Sequence, residues 1–338
     1  MLSPKQTKAF QAALVDWFKI VGKDYPWRQT TDAWHILISE VMLQQTQVAT
    51  VLGKGFYTRF LDRYPTPASI ADAPEQEILS AWEGLGYYRR VRNLQKAAKA
   101  ICDNHSGIFP TQHSQILELP GIGRYTAGAV ASFSYNQCQP LVDANVARIF
   151  SRVFDYQERV DSTSGTKQLW QWAEGLVSKD HPRLYNSALM ELGQQICTNK
   201  SPQCDICPVK TWCQTSDPTK LPLKKPRKQT VLLDELCMLA LDSKNQAILL
   251  HQSSDSARRS GMWKLPERQA HELENQPLLL KSNYAITHHK VTLYVYRAPE
   301  KITLKENESW HPLTALPELP LPSPFRKALN TLMLDYFA

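Results

Sequence analysis

The chain has 338 residues, 43% of them apolar, and a formal net charge of +7 at pH 7. That length suggests about two domains with a sizeable core. No apolar run approaches the roughly 20 residues that a spanning helix needs. Residues 1–11 are too polar for the apolar stretch of a signal peptide, so a soluble, cytoplasmic protein is expected. The moderate positive charge is compatible with a nucleic-acid partner.

Apolar residues at helical spacing predict helices over 5–22, 34–51, 55–63, 74–83, 89–103, 113–118, 124–134, 146–154, 164–178 and 183–196. Phe10, Ala13, Leu14, Trp17 and Phe18 line a face of the first. Ile36, Leu37, Val41, Leu43 and Val48 line a face of the second, with Glu40 among them. No convincing alternation precedes about residue 230, so residues 1–215 are expected to be an all-α domain. Over 216–230, Pro218, Pro222 and Pro226 alternate with Lys220, Lys224, Lys225, Arg227 and Lys228. That composition predicts an extended basic linker, able to meet phosphates or to lie in solvent. Beyond it, strands are expected over 230–233, 236–241, 247–251 and 291–296, with a closing helix at 324–336. Residues 231–338 then form a small α+β domain.

Two motifs carry chemistry. Residues 119–128, Leu-Pro-Gly-Ile-Gly-Arg-Tyr-Thr-Ala-Gly, read as a glycine turn opening a helix, with Asp143-Ala-Asn145 downstream. Amides at such a helix start bind anions, although the same pattern also suits a turn between core helices. Of seven cysteines, Cys102, Cys138 and Cys237 are isolated, whereas Cys197, Cys204, Cys207 and Cys213 cluster as C-x6-C-x2-C-x5-C. In a reducing compartment, clustered thiols point to metal, either structural zinc or an iron–sulfur cluster.

Taken together these stretches resemble the MutY family within the endonuclease III, helix–hairpin–helix superfamily of DNA glycosylases. The resemblance rests on Pro-Trp-Arg at 26–28, Ser-Glu-Val-Met-Leu-Gln-Gln-Thr-Gln at 39–47 and Gly-Leu-Gly-Tyr-Tyr at 84–88. It rests also on the hairpin, Val-Asp-Ala-Asn at 142–145 and the cysteine loop. It implies a multidomain fold: an all-α helix–hairpin–helix glycosylase domain of two lobes and a cleft, with a 4Fe–4S loop at 197–213, and a C-terminal α+β Nudix-like domain. It also implies base-excision repair of adenine paired with 8-oxoguanine or guanine in duplex DNA, by a monomer with no membrane partner.

Glu40 lies on the apolar side of its helix or on its solvated edge. Burial would raise its pKa toward that of a general acid. The resemblance assigns it protonation of adenine N7. Asp143 can cap the helix after it and can also stabilise a cationic sugar. Asn145 is its expected partner. Tyr125 stands where bifunctional relatives carry Lys, and a phenol forms no Schiff base, so hydrolysis without strand cleavage is expected. By resemblance Tyr125 contacts Asp143 and the sugar. Trp27, Arg28, Leu43 and Glu191 match the lining of the adenine pocket. Gln45 and Tyr87 match residues that penetrate the base stack, and Gly121 and Gly123 belong to the DNA-binding hairpin.

In the second domain the family's Phe-Ser-His turn becomes Ile286-Thr287-His288, a base or phosphate contact in which Ile replaces the stacking Phe. His288 and His289 are expected on opposite faces of a strand. The residues after Gly261 lack the Glu-rich helix of a catalytic Nudix box, so no pyrophosphatase activity is expected. Ala144 stands where the family has Gly and would be strained if the backbone there has positive φ. Two other readings compete: a thymine or uracil glycosylase acting at mispairs with guanine, and a noncatalytic iron–sulfur DNA-binding protein.

Overall fold

The computed structural model describes residues 2–254 and 259–337. Its helices are α1 (Pro4–Val21), α2 (Ala33–Leu43), α3 (Val48–Gly53), α4 (Phe56–Arg63), α5 (Pro67–Ala71), α6 (Glu75–Ala81) and α7 (Arg89–His105), followed by α8 (His113–Glu118), α9 (Arg124–Tyr135), α10 (Ala144–Val153), α11 (Thr163–Leu176) and α12 (Pro182–Gln195). Then come β1 (Val231–Leu239), β2 (Leu241–Asp242), β3 (Ala247–Gln252), β4 (Trp263–Lys264), β5 (Leu278–Ile286), β6 (His289–Arg297), β7 (Glu308–Pro312) and α13 (Ser323–Phe337). The chain forms two compact units. One comprises residues 1–47, 61–71 and 93–226, and the other 48–60, 72–92 and 227–338. Among the described residues no helix is long and apolar enough to cross a membrane.

The first unit is helical. Local sequence sets its boundaries. Ser3 and Gln6 form a capping box at the start of α1, Asp32 caps α2 by accepting from the His35 amide, and Pro182 opens α12. Phe10 and Leu14 of α1, Ile149 and Phe150 of α10, and Tyr185 and Leu192 of α12 are almost wholly buried in one core. Burying each such side chain contributes about 2 kcal/mol, an upper estimate against a compact unfolded chain. The helix expected over 34–51 is broken. It ends at Leu43, Gln45 has φ of 58°, and α3 begins only at Val48. A left-handed residue cannot sit inside a right-handed helix. The apolar residues 36–48 therefore belong to two helices.

The basic segment after the cysteines does not float free along its whole length. Leu221 is buried, the Val160 amide donates to the Leu223 carbonyl, and the Lys225 amide donates to Asp161.

The second unit holds two small sheets, ordered β1-β6-β5 and β2-β3-β4, the latter with β7 on β3. β1 runs parallel to β6, and β5 runs antiparallel to it. Val291, Leu293 and Val295 alternate inward along β6, and Leu293 and Val295 share a core with Phe325 and Leu329 of α13, Cys237, Ile248 and Leu265. β1 is one strand where two short ones were expected. β5 and β7 were not expected, since half-exposed polar residues weaken their apolar alternation.

Candidate active site

α2 offers no solvated edge: Ala33, Trp34 and every residue from Ile36 to Met42 are buried, so Glu40 is buried too, at 5% exposure. Burial pushes its carboxyl up to about 7. The nearby charge of Asp143 adds to the rise, while the Tyr125 hydrogen bond and the Arg28 charge oppose it. The Tyr125 hydroxyl donates to Glu40 Oε2 at 2.8 Å and lies 3.9 Å from Met190 Sδ. Burial and the two carboxylates hold the Tyr125 phenol well above its ordinary value. Its hydroxyl thus lies on Glu40, where the resemblance implied Asp143.

Asp143 caps α10. Its Oδ1 accepts from the Val146 amide at 2.7 Å and its Oδ2 from Asn145 Nδ2 at 2.9 Å. Burial raises its pKa, and the amides of Val146 and Asn145 pull the other way. Both oxygens accept from N–H donors at the positive end of a helix, which suits the ionised form. Ala144 is the first residue of α10 and helical, so Ala there carries no positive-φ strain. Arg148, one turn on, donates to Asn145 Oδ1 at 2.8 Å, to the Gly193 carbonyl at 2.7 Å and to the Cys197 carbonyl at 2.7 Å. A Cβ added at Gly193 would lie 2.5 Å from Asn145 Cβ. Arg148, Gly193 and Met190 were not singled out from the sequence. An arginine in an amphipathic helix and a glycine between Leu192 and Gln194 give no periodic signal.

Of the residues expected to line the adenine pocket, Arg28 and Glu191 meet. Arg28 Nη1 donates to Glu191 Oε2 at 2.5 Å, and Glu191, wholly buried, also accepts from Gln195. The Arg28 guanidinium lies over the rings of Phe18 and Tyr25, and Tyr25 meets Trp27. Arg183 clasps the carbonyls of Arg28 and Thr30, which fixes the turn Pro26–Arg28. Leu43 is half-buried at the end of α2, and Gln45 is exposed just beyond it.

Gly121 has φ of 76° and packs its α-carbon against Asn93, while Gly123 is the N-cap of α9 with open space around it. Gly121, Gly123 and Arg124 are exposed where α9 begins. Tyr87, Thr287 and His288 belong to the other unit. Tyr87 is 49% exposed. Thr287 and His288 form the two-residue turn between β5 and β6, and Thr287 has φ of 55°. His288 thus precedes the strand, and its ring lies against that of His289, centroids 4.1 Å apart and planes tilted by 40°, so the two do not project from opposite faces of a strand.

Cys197, Cys207 and Cys213 are half-buried and Cys204 exposed. Burial pushes the Cys207 thiol up to about 11, and the charges of the other three cysteines push the same way. Arg152, itself buried, donates to Cys197 Sγ at 3.2 Å and to the carbonyls of Thr198, Asn199 and Leu221. A buried guanidinium aimed at sulfur suits a thiolate. Among the described residues no three His, Cys, Asp or Glu side chains converge on a point where one metal ion could sit.

Residues 38–174 match the HhH-GPD superfamily of base excision DNA repair proteins. The adenine DNA glycosylase of Buchnera aphidicola subsp. Baizongia pistaciae is 35% identical over 262 residues, 76% of this chain and 72% of that protein. The chain belongs to the adenine DNA glycosylase family. Such enzymes hydrolyse the N-glycosidic bond of adenine in DNA. The human adenine DNA glycosylase is 39% identical over 218 residues, 62% of this chain and 40% of the human protein. Several mammalian and plant relatives are thus about twice as long as the part this chain spans. A thermostable thymine-DNA glycosylase superimposes with a TM-score of 0.56 at 31% identity, covering 62% of this chain and 95% of that one. The helical glycosylase fold is common to both.

Proposed function

We propose that the chain removes adenine opposite 8-oxoguanine or guanine in duplex DNA, as a monomer acting on the nucleoid, and leaves the strand intact. The observation that carries this reading is a buried Glu40 poised near pH 7 beside an Asp143 whose two oxygens both accept hydrogen bonds. Paired carboxylates in unlike environments divide the acid and the anionic roles between them. With adenine flipped out of the stack, Glu40 protonates N7 and makes the base a neutral leaving group. The departing base leaves positive charge on the deoxyribose, which the Asp143 carboxylate, oriented by Asn145, stabilises until water adds to the sugar carbon and gives its proton to the Glu40 carboxylate. Tyr125 orients the Glu40 proton. It has no amine with which to attack the sugar, so no lyase step follows.

Trp27, Arg28, Leu43 and Glu191 receive the base. Amides near Gly121 and Gly123 hold phosphate, and Gln45 and Tyr87 enter the stack. Thr287 and His288, on a Nudix-like domain, read the base opposite. The domain division follows composition: 1–215, the linker 216–230, and 231–338.

The four cysteines suit a 4Fe–4S cluster. Their thiolates would bind its irons. That cluster would supply a structural tie for the loop at 197–213, and Arg152 would hold Cys197 toward it.

The competing reading is a thymine or uracil glycosylase, favoured by the likeness to the thymine-DNA glycosylase. Single-turnover base release from 8-oxoguanine:adenine, guanine:adenine, guanine:thymine and guanine:uracil duplexes separates the two. Adenine release that is lost in Glu40→Gln by more than roughly a hundredfold supports the proposal. Thymine or uracil release, or normal turnover by the Gln variant, sinks it. A borohydride-trapped adduct at wild-type levels would overturn the monofunctional assignment.

A further inference from the structure

The segment joining α6 to α7 holds Tyr87 in an unusual backbone. Gly84, Gly86 and Tyr87 all have positive φ, at 96°, 68° and 50°. Glycine adopts such angles freely and tyrosine rarely does, so surrounding structure must hold the turn in this shape. Part of the hold is local. The indole of Trp82 donates to the Gly86 carbonyl at 3.2 Å, and Arg90 Nη2 donates to the carbonyls of Leu85 and Gly86 at 3.0 and 3.1 Å. A Cβ at Gly84 would strike the Phe56 ring.

The other part comes from a residue 243 positions away. Arg326 of α13 grips Glu83 with both ends of its fork, Nε to Oε1 at 2.8 Å and Nη2 to Oε2 at 2.9 Å. The two side chains are only 20% and 19% exposed. The same guanidinium donates to the carbonyls of Leu316 and Leu319, each at 2.8 Å, and so cannot swing without breaking four bonds. Glu75 and Gln76 of α6 and Arg92 of α7 tie the helices on either side of that segment to the loop at Ser260 and Gly261. A bidentate pair fixes direction as well as distance, which a single contact does not.

We propose that Glu83 and Arg326 form a positioning latch that seats the Tyr87 turn on the C-terminal domain, and that this latch sets discrimination between 8-oxoguanine and guanine opposite adenine. It rests on the reading that Tyr87 enters the stack and that Thr287 and His288 meet the opposite base. Glu83 lies four residues before Tyr87, and Arg326 lies in the helix that closes the core beneath β6. A base read on the C-terminal domain and an aromatic wedge on this turn then move as one body. Without the latch the wedge relaxes independently of what the domain has met.

The test uses the full chain as wild type, Glu83→Gln, Arg326→Met, Arg326→Lys and the Glu83→Gln/Arg326→Met double variant. Two readouts are taken: single-turnover adenine release on 8-oxoguanine:adenine and guanine:adenine duplexes, and amide hydrogen exchange over 84–90. Wild type should prefer 8-oxoguanine:adenine. Each of Glu83→Gln and Arg326→Met should lower that preference roughly tenfold and speed exchange over 84–90. The double variant should be no worse than either single one, and Arg326→Lys, which keeps the charge but loses the fork, should fall between. Folded variants with unchanged preference, or losses that add in the double variant, overturn the latch. A variant too unstable for kinetics is still judged by exchange, where no faster exchange at 84–90 than elsewhere counts against the proposal. If wild type itself shows no preference, the reading of the C-terminal domain is what fails, and unaltered exchange at 84–90 would then overturn the latch as well.

Discussion

The half-buried Tyr125 donates its hydroxyl to Oε2 of the buried Glu40 at 2.8 Å. A hydrogen bond from a neutral donor stabilises the ionised carboxylate and so opposes the effect of burial. Tyr125→Phe should therefore raise the Glu40 pKa above about 7 and move the alkaline limb of the adenine-release profile to higher pH. A pH series of single-turnover rates reads this directly. A limb that stays in place or moves to lower pH would show that the phenol does not tune the acid.

The same burial couples Glu40 to stability. Its carboxyl ionises near 4.5 when exposed and near 7 in the folded chain. The folded state thus holds the proton more tightly. The stability this contributes is complete below pH 4.5 and is lost as pH rises through about 7. On the order of 3 kcal/mol disappears across that window. Glu40→Gln should remove this part of the pH dependence and leave a chain more stable than wild type at pH 8. Urea midpoints at pH 5 and pH 8 for both proteins decide it; parallel behaviour of the two would contradict the assigned pKa.

Much of this site can be read from residue order, because its parts come from local rules. A capping Asp before an amphipathic helix, a glycine turn before another and four thiols in one loop each announce themselves within a few positions. What stays hidden is long-range. Glu40 could not be told from a residue on a solvated edge, since the burial of α2 on nearly every side depends on partners far along the chain. The break at Gln45 is equally silent, because glutamine carries no turn signature and the apolar spacing runs on past it. The strands β5 and β7 are missed for a related reason: half-exposed strands take their alternation from neighbours that sequence does not place. Arg148 reaches residues 45 and 49 positions away, and only the folded chain brings them together.

Gly193 lets α12 approach Asn145 closely. An added Cβ would sit 2.5 Å from Asn145 Cβ, with no flexible side-chain end to give way. Gly193→Ala should therefore displace Asn145, weaken its bond to Asp143 and destabilise the chain by about 1–3 kcal/mol, as overpacking does. Adenine release should fall more steeply than thermal stability, because the orientation of the Asp143 carboxylate is disturbed along with the packing. Both are measured on one preparation, by single-turnover kinetics and thermal unfolding. Wild-type kinetics would mean that the helices separate without moving Asn145.

Arg28 and Glu191 form a deeply buried ion pair, Nη1 to Oε2 at 2.5 Å, with the Glu191 side chain wholly out of solvent. An ion pair of this kind contributes little net stability as a pair, since both charges lose their hydration. Removing one partner is different, because the other charge is left buried and uncompensated. Arg28→Ala should destabilise the chain by about 3–5 kcal/mol, of which the remaining Gln195 donor to Glu191 recovers a part. The double variant Arg28→Met/Glu191→Gln removes both charges and should recover most of the loss in denaturant unfolding. It should still release adenine poorly, since the chain then lacks the charged groups proposed to receive the base. Equal instability of the single and double variants would show that packing of the Arg28 stem on Phe18 and Tyr25, and not its charge, holds this wall of the site.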